Sequence, residues 1–494
     1  MHLKEEKSSH SPFFKKKKAT SGWSNALLKN TKNLKHALFS SHQAKVSPKR
    51  KFFIYDFSCE DSILERKSQK IPETPPRISP ESDLTTLLDD GILINILSRV
   101  HDSQSKTISL VCRRWLNLLG RSVRSVKIMD WEFLHSRKLN NRFPNLTHID
   151  IVSACLNSER YSSICITNRF ASMKINSDFW VNERLRPSEA IDNELKELAS
   201  SFPNLRKLSV LNATELGLLS VAEECPILND LELHNCSDNV LRGIAACGNL
   251  QVLKLVAHSS GFFSSHLTDI GLTILAQGCK RLVKLELSGC EGSYEGIKAI
   301  GQCCQMLEEL TISDQRLDSG WLSGLAFCDT LKSLKLLSCK TIDSCENEEN
   351  VGYCPGIQRL HLQRCQLREK TSVECLFRVC ETVTEIKIED CWGFNDDVLA
   401  LARACKNTRV VSLKGCSLVT CAGLEDVLLS WKKVRCVIVE SCKRVNNNEV
   451  SPALSALISD LKELTWSPHG KQVVSSALTS TGMGKKGSKF FSKS

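Results

Sequence analysis

The chain of 494 residues has room for several ordinary domains or for one extended array. Its formal charge of +11 is uneven: residues 1–80 hold +10 and residues 471–494 hold +5, which leaves the middle at −4. A slightly acidic body argues against a basic nucleic-acid-binding domain, and no uninterrupted apolar run is long enough to span a bilayer.

Residues 1–82 read as a disordered basic leader, rich in Lys and Ser, with Pro72, Pro75, Pro76 and Pro80 clustered at its end. Lys15 to Lys18 and Lys49-Arg50-Lys51 fit either solvated charge in a flexible segment or nuclear targeting. The opening MHLKEEKSSH has no apolar core of a secretory signal. A reducing compartment is therefore expected, nucleus and/or cytoplasm, with the 24 cysteines mostly reduced.

Residues 88–119 form the first patterned stretch. Asp89 and Asp90 suit a helix start, where a carboxylate accepts free backbone N–H groups. Ile92, Leu93, Ile96, Leu97 and Val100 then recur at three and four residues as one apolar stripe. A second helical run, capped by Ser103 or Ser105, has Ile108, Val111, Cys112, Trp115, Leu118 and Leu119 as its face and Gly120 as its stop. So few residues bury too little surface to fold alone, so the segment needs partners.

Val126 and Ile128 alternate like a short strand, and Asp130 suits the cap of a helix running from Trp131 to Leu139. Phe143-Pro144-Asn145-Leu146, with Ile149 and Ile151, then opens a repeat. It returns as Phe202-Pro203-Asn204-Leu205, and later copies begin at Cys225, Cys247, Cys279, Cys304, Cys328, Cys354, Cys380, Cys405 and Trp431. The period lies within the leucine-rich-repeat range. A Leu-x-Leu pair such as Leu285/Leu287 marks a strand with one buried face, and a helical phrase follows, clearest at Leu267 to Ala276. One unit cannot bury both faces, whereas stacked units share a continuous core. The fold class expected is α/β: a solenoid of parallel inner strands and outer helices behind a small all-helical segment.

The cysteines follow the same period. Eight open a unit, and a second set stands just after the strand: Cys236, Cys290, Cys339, Cys365, Cys391, Cys416 and Cys442. No Cys-x-x-Cys pair occurs, so structural thiols are expected and no metal. The unit grammar is interrupted at 153–200, at 258–266 with Phe262 and Phe263, and at the acidic 341–353. Such insertions are either tolerated surface loops or ligand contacts.

No phosphate loop, His-Glu-x-x-His or Gly-x-Ser-x-Gly appears, so no catalytic residue and no cofactor is expected. Read by register, the inner surface carries Ser209, Glu232, Lys254, Glu286, Thr311, Lys335, His361, Lys387 and Ser412. The next column holds His234, Ser288, Ser313, Gln363, Glu389, Lys414 and Glu440. His234 and His361 are expected as surface side chains. The signs alternate, which lacks the single-sign field of a nucleic-acid groove and suits one protein partner.

Residues 88–119 resemble the F-box. Leu110-Val111-Cys112-Arg113-Arg114-Trp115 matches its Val-Cys-(Arg/Lys)-x-Trp close, and Leu88, Asp90, Ile92, Leu93, Ile96 and Leu97 match its opening, with Asp89 where the family usually has Pro. The repeats are similar to the cysteine-containing leucine-rich repeats of plant F-box proteins, substrate receptors of SCF (Skp–cullin–F-box) ubiquitin ligases. The resemblance implies a non-catalytic ligase subunit in protein ubiquitination and proteasomal degradation. Leu88, Ile92, Leu93, Ile96, Leu97, Val111, Cys112 and Trp115 would hold the F-box together and dock a Skp-type adaptor, and through it a cullin. The repeats would bind an unknown protein substrate, with Phe262, Phe263, His234, Glu286, His361 and Lys387 as candidate contacts. The polybasic pocket of the related hormone receptors is not evident. The division expected is leader 1–82, F-box 83–125, repeats 126–470 and a disordered basic tail 471–494. The alternative is a non-ligase interaction scaffold whose helices only cap the array.

Overall fold

The computed structural model describes residues 54–56, 84–100, 105–156, 163–166, 185–257, 267–317, 320–340 and 354–469. Among these residues the Leu-x-Leu pairs become strands that stack one repeat apart in a single sheet, of which 13 strands run parallel. The register repeats without slippage through most of the array. Leu334 pairs with Leu360, Leu360 with Ile386 and Ile386 with Val411, while Leu336, Leu362, Ile388 and Leu413 form the second column. Both columns are buried on the face towards the helices. Each fully buried Leu or Ile there contributes about 1.5–3 kcal/mol. A lone repeat would leave these side chains wet, which ties stability to the stack.

The helices form the second layer. Glu215–Glu224 packs on Asp238–Ala245, which packs on Asp269–Gly278, and that helix packs on Tyr294–Cys303. A carboxylate clasps successive helices together. The N–H and hydroxyl of Thr268, which caps Asp269–Gly278, donate to Asp238 of the preceding helix at 2.8 and 2.6 Å. Asp192 holds Thr214 in the same way, Asp269 holds Ser293, and Asp396 holds Thr420. Gly271 explains the glycine three residues after that Thr: a Cβ there would lie 2.2 Å from Asp238 Oδ1.

Several thiols at the two periodic positions stitch a repeat to the one before, whereas Cys236 donates to Val256 O in the repeat after it. Cys279 and Cys354, at the start of a unit, donate to the carbonyls of Ile244 and Cys328 at 3.5 and 3.3 Å. Cys365 and Cys416, just after the strand, donate to Leu336 and Ile388 at 3.2 and 3.5 Å. A small, soft, weakly donating side chain suits a crowded interior where a carbonyl needs a long partner. Burial pushes the Cys279 and Cys304 thiols up to about 12, so they stay protonated.

Two strands depart from the sequence reading. Ser163–Ile166 lies antiparallel on Ser125–Ile128 at the N-terminal edge of the sheet, and Ile54–Asp56 lies antiparallel on Ser163–Ile166. The first comes from the segment read as an insertion, the second from within the segment read as a structureless leader. The first parallel strand offers an open row of N–H and C=O groups, and pairing satisfies it. Strands of three and four residues are too short a signal for a periodicity reading.

Candidate functional site

The segment 88–119 folds as three helices, α1 (Asp90–Ser98), α2 (Ser105–Ser109) and α3 (Arg113–Ser122). Asp89 is the N-cap of α1 and accepts the Gly91 N–H at 2.9 Å, so the residue that replaces the usual Pro does capping work of its own. The second helical run is two helices, with the break that the F-box resemblance implies near Val111-Cys112 and that apolar periodicity does not show. It breaks at Leu110 to Cys112, where Cys112 turns extended and its Sγ accepts the Trp115 N–H at 3.4 Å as the N-cap of α3. Gly120 is not a stop, because α3 continues through Ser122. Its lack of a side chain serves a close approach instead: a Cβ there would lie 2.1 Å from the Arg142 carbonyl oxygen. Arg142 also donates to the Leu116 carbonyl, and the Asn145 side chain donates to Arg121 O at 2.9 Å, so α3 is fastened to the first repeat.

The core beneath is small: Leu93, Leu97 and Leu118, with Leu88, Ile94, Ile108, Trp115 and Leu119 packed against it. Arg114 braces it. Its guanidinium donates to Thr85 O at 2.8 Å, Leu88 O at 2.6 Å and Asp90 Oδ1 at 2.7 Å, tying the turn before α1 to α3. The eight residues singled out from the sequence thus divide. Leu93 and Leu97 are buried, Leu88 and Trp115 half-buried, and Ile92, Ile96, Val111 and Cys112 exposed. Leu87 and Leu110 join the exposed set, and the five large apolar side chains Leu87, Ile92, Ile96, Leu110 and Val111 are 48–80% exposed. Sequence reasoning passed over Leu87 and named Leu110 in the matched motif without singling it out as a contact. Leu110 could have been found from the helix break, which turns consecutive residues to one side.

The inner surface has the register read from the sequence. Glu232, Lys254, Glu286 and Thr311 share one column, as do Lys335, His361, Lys387 and Ser412 further along. His234 departs from the expectation of a surface side chain: only 3% of it is exposed. It stands in register between Leu211 and Val256, two apolar neighbours, which the alternation along its own strand does not reveal. His234 Nε2 lies 2.9 Å from Glu232 Oε1, and Lys254 Nζ lies 2.7 Å from the same oxygen. Burial pushes the Glu232 carboxyl up, but the His234 hydrogen bond and the Lys254 charge outweigh it and hold it well below the usual carboxylate range.

Glu286 pairs with Lys284 on its own strand at 2.8 Å. His361 and Lys387 are brought together around a cavity of about 260 Å3, lined also by Glu309, Ser333, Lys335, Arg359, Leu360 and Glu385. Burial lowers the His361 imidazole below its ordinary value, and Lys387 and Lys335 act in the same sense against Glu389. Phe262, Phe263 and the acidic segment 341–353 lie outside the described residues. Among the described residues no group of three or more His, Cys, Asp or Glu side chains is arranged to hold a metal ion, and no helix is long and apolar enough to cross a membrane.

Comparison with known proteins bears on the chain as a whole. Its curated relatives are plant F-box proteins. F-box protein MAX2 homolog A of Petunia hybrida is 22% identical over 412 residues, which cover 72% of this chain and 56% of that protein. F-box protein MAX2 of Arabidopsis thaliana is 26% identical over 182 residues, 34% of this chain and 22% of that protein. The chain therefore spans about half the length, or less, of the F-box relatives it matches. No protein-family profile matches the sequence. Among solved structures, a complex of TLR13 with ssRNA13 is similar at 18% identity and a TM-score of 0.33, covering 53% of this chain and 39% of that one.

Proposed function

We propose that the chain is the substrate-recognition subunit of an SCF ubiquitin ligase. The observation that carries the reading is the exposure of Leu87, Ile92, Ile96, Leu110 and Val111 over a three-helix core that is already closed by Leu93, Leu97 and Leu118. Exposed apolar side chains before and on α1 and at the α2–α3 break suit a protein partner, and the F-box relatives point to a Skp-type adaptor and, through it, a cullin. Ile92, Ile96, Val111 and Cys112 would make the contact, with Leu88, Leu93, Leu97 and Trp115 holding them in place. The repeats, 126–470 in this division, would hold the protein to be ubiquitinated against the inner sheet, and transfer chemistry would lie on other subunits.

The test is co-purification of the full chain with a Skp-type adaptor on gel filtration. Covering the exposed halves of Ile96 and Val111 is worth about 1–2 kcal/mol each, so Ile96→Asp with Val111→Asp is expected to abolish the complex. Leu216→Asp, at a more exposed leucine on a repeat helix, is expected to leave it intact. Equal retention of both variants refutes the reading.

The junction of Gly120 with Arg142 favours a second reading, in which the helices cap a non-ligase scaffold. In that case deleting residues 84–120 unfolds the repeats. An intact cooperative transition in the deleted chain refutes it.

A further inference from the structure

We infer that the middle of the inner sheet carries a receptor for a single carboxylate, in which the Arg359 guanidinium and the Lys335 ammonium take the side chain of an Asp or Glu in a bound polypeptide. The inference rests on the reading of the repeats as the substrate-binding part.

Most cations along this face are fully matched. Lys207 lies 2.7 Å from Asp230, Lys254 2.7 Å from Glu232, Lys284 2.8 Å from Glu286 and Lys387 2.7 Å from Glu385. Glu309 breaks the pattern. Its carboxylate serves two cations at once, Lys335 at 3.6 Å and Arg359 at 3.5 Å, and neither is at hydrogen-bonding distance with good geometry. Among the described residues neither Arg359 nor Lys335 makes any other ion pair, and Arg359 is half exposed. A guanidinium has five N–H donors in a planar fork that fits a carboxylate with two parallel bonds. Here that fork is unspent.

Charge and size choose the ligand. The cavity is lined by Lys335, Arg359 and Lys387 against Glu309 and Glu385, an excess of one positive charge. A monoanion balances it. A phosphate dianion overshoots it and meets two fixed carboxylates at the rim, so like-charge repulsion disfavours it. A volume of about 260 Å3 falls below that of ordinary cofactor pockets and suits one side chain of a larger partner. The neighbouring rungs of the sheet, Ser333 to Arg359 to Glu385, hold these groups on rigid strands and not on loops.

The experiment uses the full-length chain with adaptor added. It is passed over immobilised degenerate peptide pools that differ only at a fixed central residue: Asp, Glu, Asn or phosphoserine. The Asp and Glu pools are expected to retain the chain at least about tenfold better than the Asn pool, the size of one charge-assisted bidentate contact. Lys335→Gln with Arg359→Gln is expected to bring that preference within twofold. Arg359→Lys, which keeps the charge and loses the fork, is expected to fall between and guards against a folding artefact in the double variant. Lys443→Gln, elsewhere on the array, is expected to keep the full preference. The inference is overturned by equal retention of the acidic and Asn pools, by a preference that survives the double variant, or by stronger retention on phosphoserine than on Asp or Glu. Adaptor co-elution is read in the same samples. Acid selection without adaptor binding sinks the ligase reading alone, and adaptor binding without acid selection sinks this one alone.

Discussion

The clasp between Asp238 and Thr268 gives a sharp test of how the repeats hold together. Asp238→Ala removes two charge-assisted bonds across a helix junction. Each is worth about 1.5–3 kcal/mol when the partner is left unpaired. The site is part-buried, so water re-solvates some of what is lost, and a total of about 2–3 kcal/mol is expected. Gly271→Ala alone drives a methyl to within 2.2 Å of Asp238 Oδ1 and opens the clasp, for a loss of about 1–3 kcal/mol. With Asp238→Ala in place the carboxyl is gone and the nearest atom left to the methyl is Leu241 Cδ1 at 2.8 Å, the mobile end of a side chain. Gly271→Ala in that background should then be neutral or gain up to about 1 kcal/mol of helix propensity. The coupling is about 2 kcal/mol, read from urea unfolding of the four proteins, with amide exchange across Asp269–Gly278 as the local measure. Single and double effects that add to within about 0.5 kcal/mol refute the argument.

Three further outcomes follow from the geometry. Glu232 has a folded pKa below its unfolded value, so its ionised form stabilises the chain above an unfolded pKa of about 4.3 and that stability is lost as the pH falls through and below it. Glu232→Gln should therefore cost about 2–4 kcal/mol at pH 7 and progressively less below pH ~4, by chemical unfolding across pH; a pH-independent difference contradicts it. Gly120→Ala should push α3 off the first repeat, so that limited proteolysis cuts near Val123 while the repeats keep their transition; unchanged cleavage counts against the junction. Among the described cysteines, peptide-mapped alkylation of the native chain should label the exposed Cys112 first and Cys303 next, and reach Cys279 and Cys365 only on unfolding; fast labelling at either buried thiol is inconsistent with the stacked arrangement.

The strand columns were legible because a strand alternates with period two and a solenoid repeats it: Lys335, His361 and Lys387 stand in register as read. The period of the cysteines was equally plain, although their carbonyl partners in the preceding repeat were not. What the sequence hides is what one rung does to the next. His234 looks like an outward side chain on its own strand and is buried by Leu211 and Val256 on the strands beside it. The alternation of Lys and Glu suggested a neutral face, yet pairing distances differ from rung to rung and leave Glu309 shared between two cations. In the segment 88–119, apolar spacing runs smoothly through Ile108, Val111 and Trp115, so periodicity joins α2 to α3. Periodicity does not show the break, which the extended backbone of Cys112 makes plain.

The left-handed residues that end the strands bear on how the array could be rebuilt. Asn212, Gly289, Asp314, Ser338, Arg364, Asp390, Gly415 and Ser441 each take positive φ directly after the last strand pair, and Asn235 does so at the register shift within its strand. The N–H of eight of them donates into the next repeat, as Arg364 does to Glu389 O at 2.8 Å. Gly, Asn and Asp adopt this conformation at little cost, whereas Ser338, Arg364 and Ser441 sit there against a steric penalty of about 1–2 kcal/mol each. Those three positions are natural handles for raising stability without touching a core side chain, by exchange for Asn or Gly. They also mark the joints at which whole units could be removed or inserted. A single residue gained or lost between such a joint and the thiol after it, as between Arg364 and Cys365, would instead move that thiol off the Leu336 carbonyl 3.2 Å away.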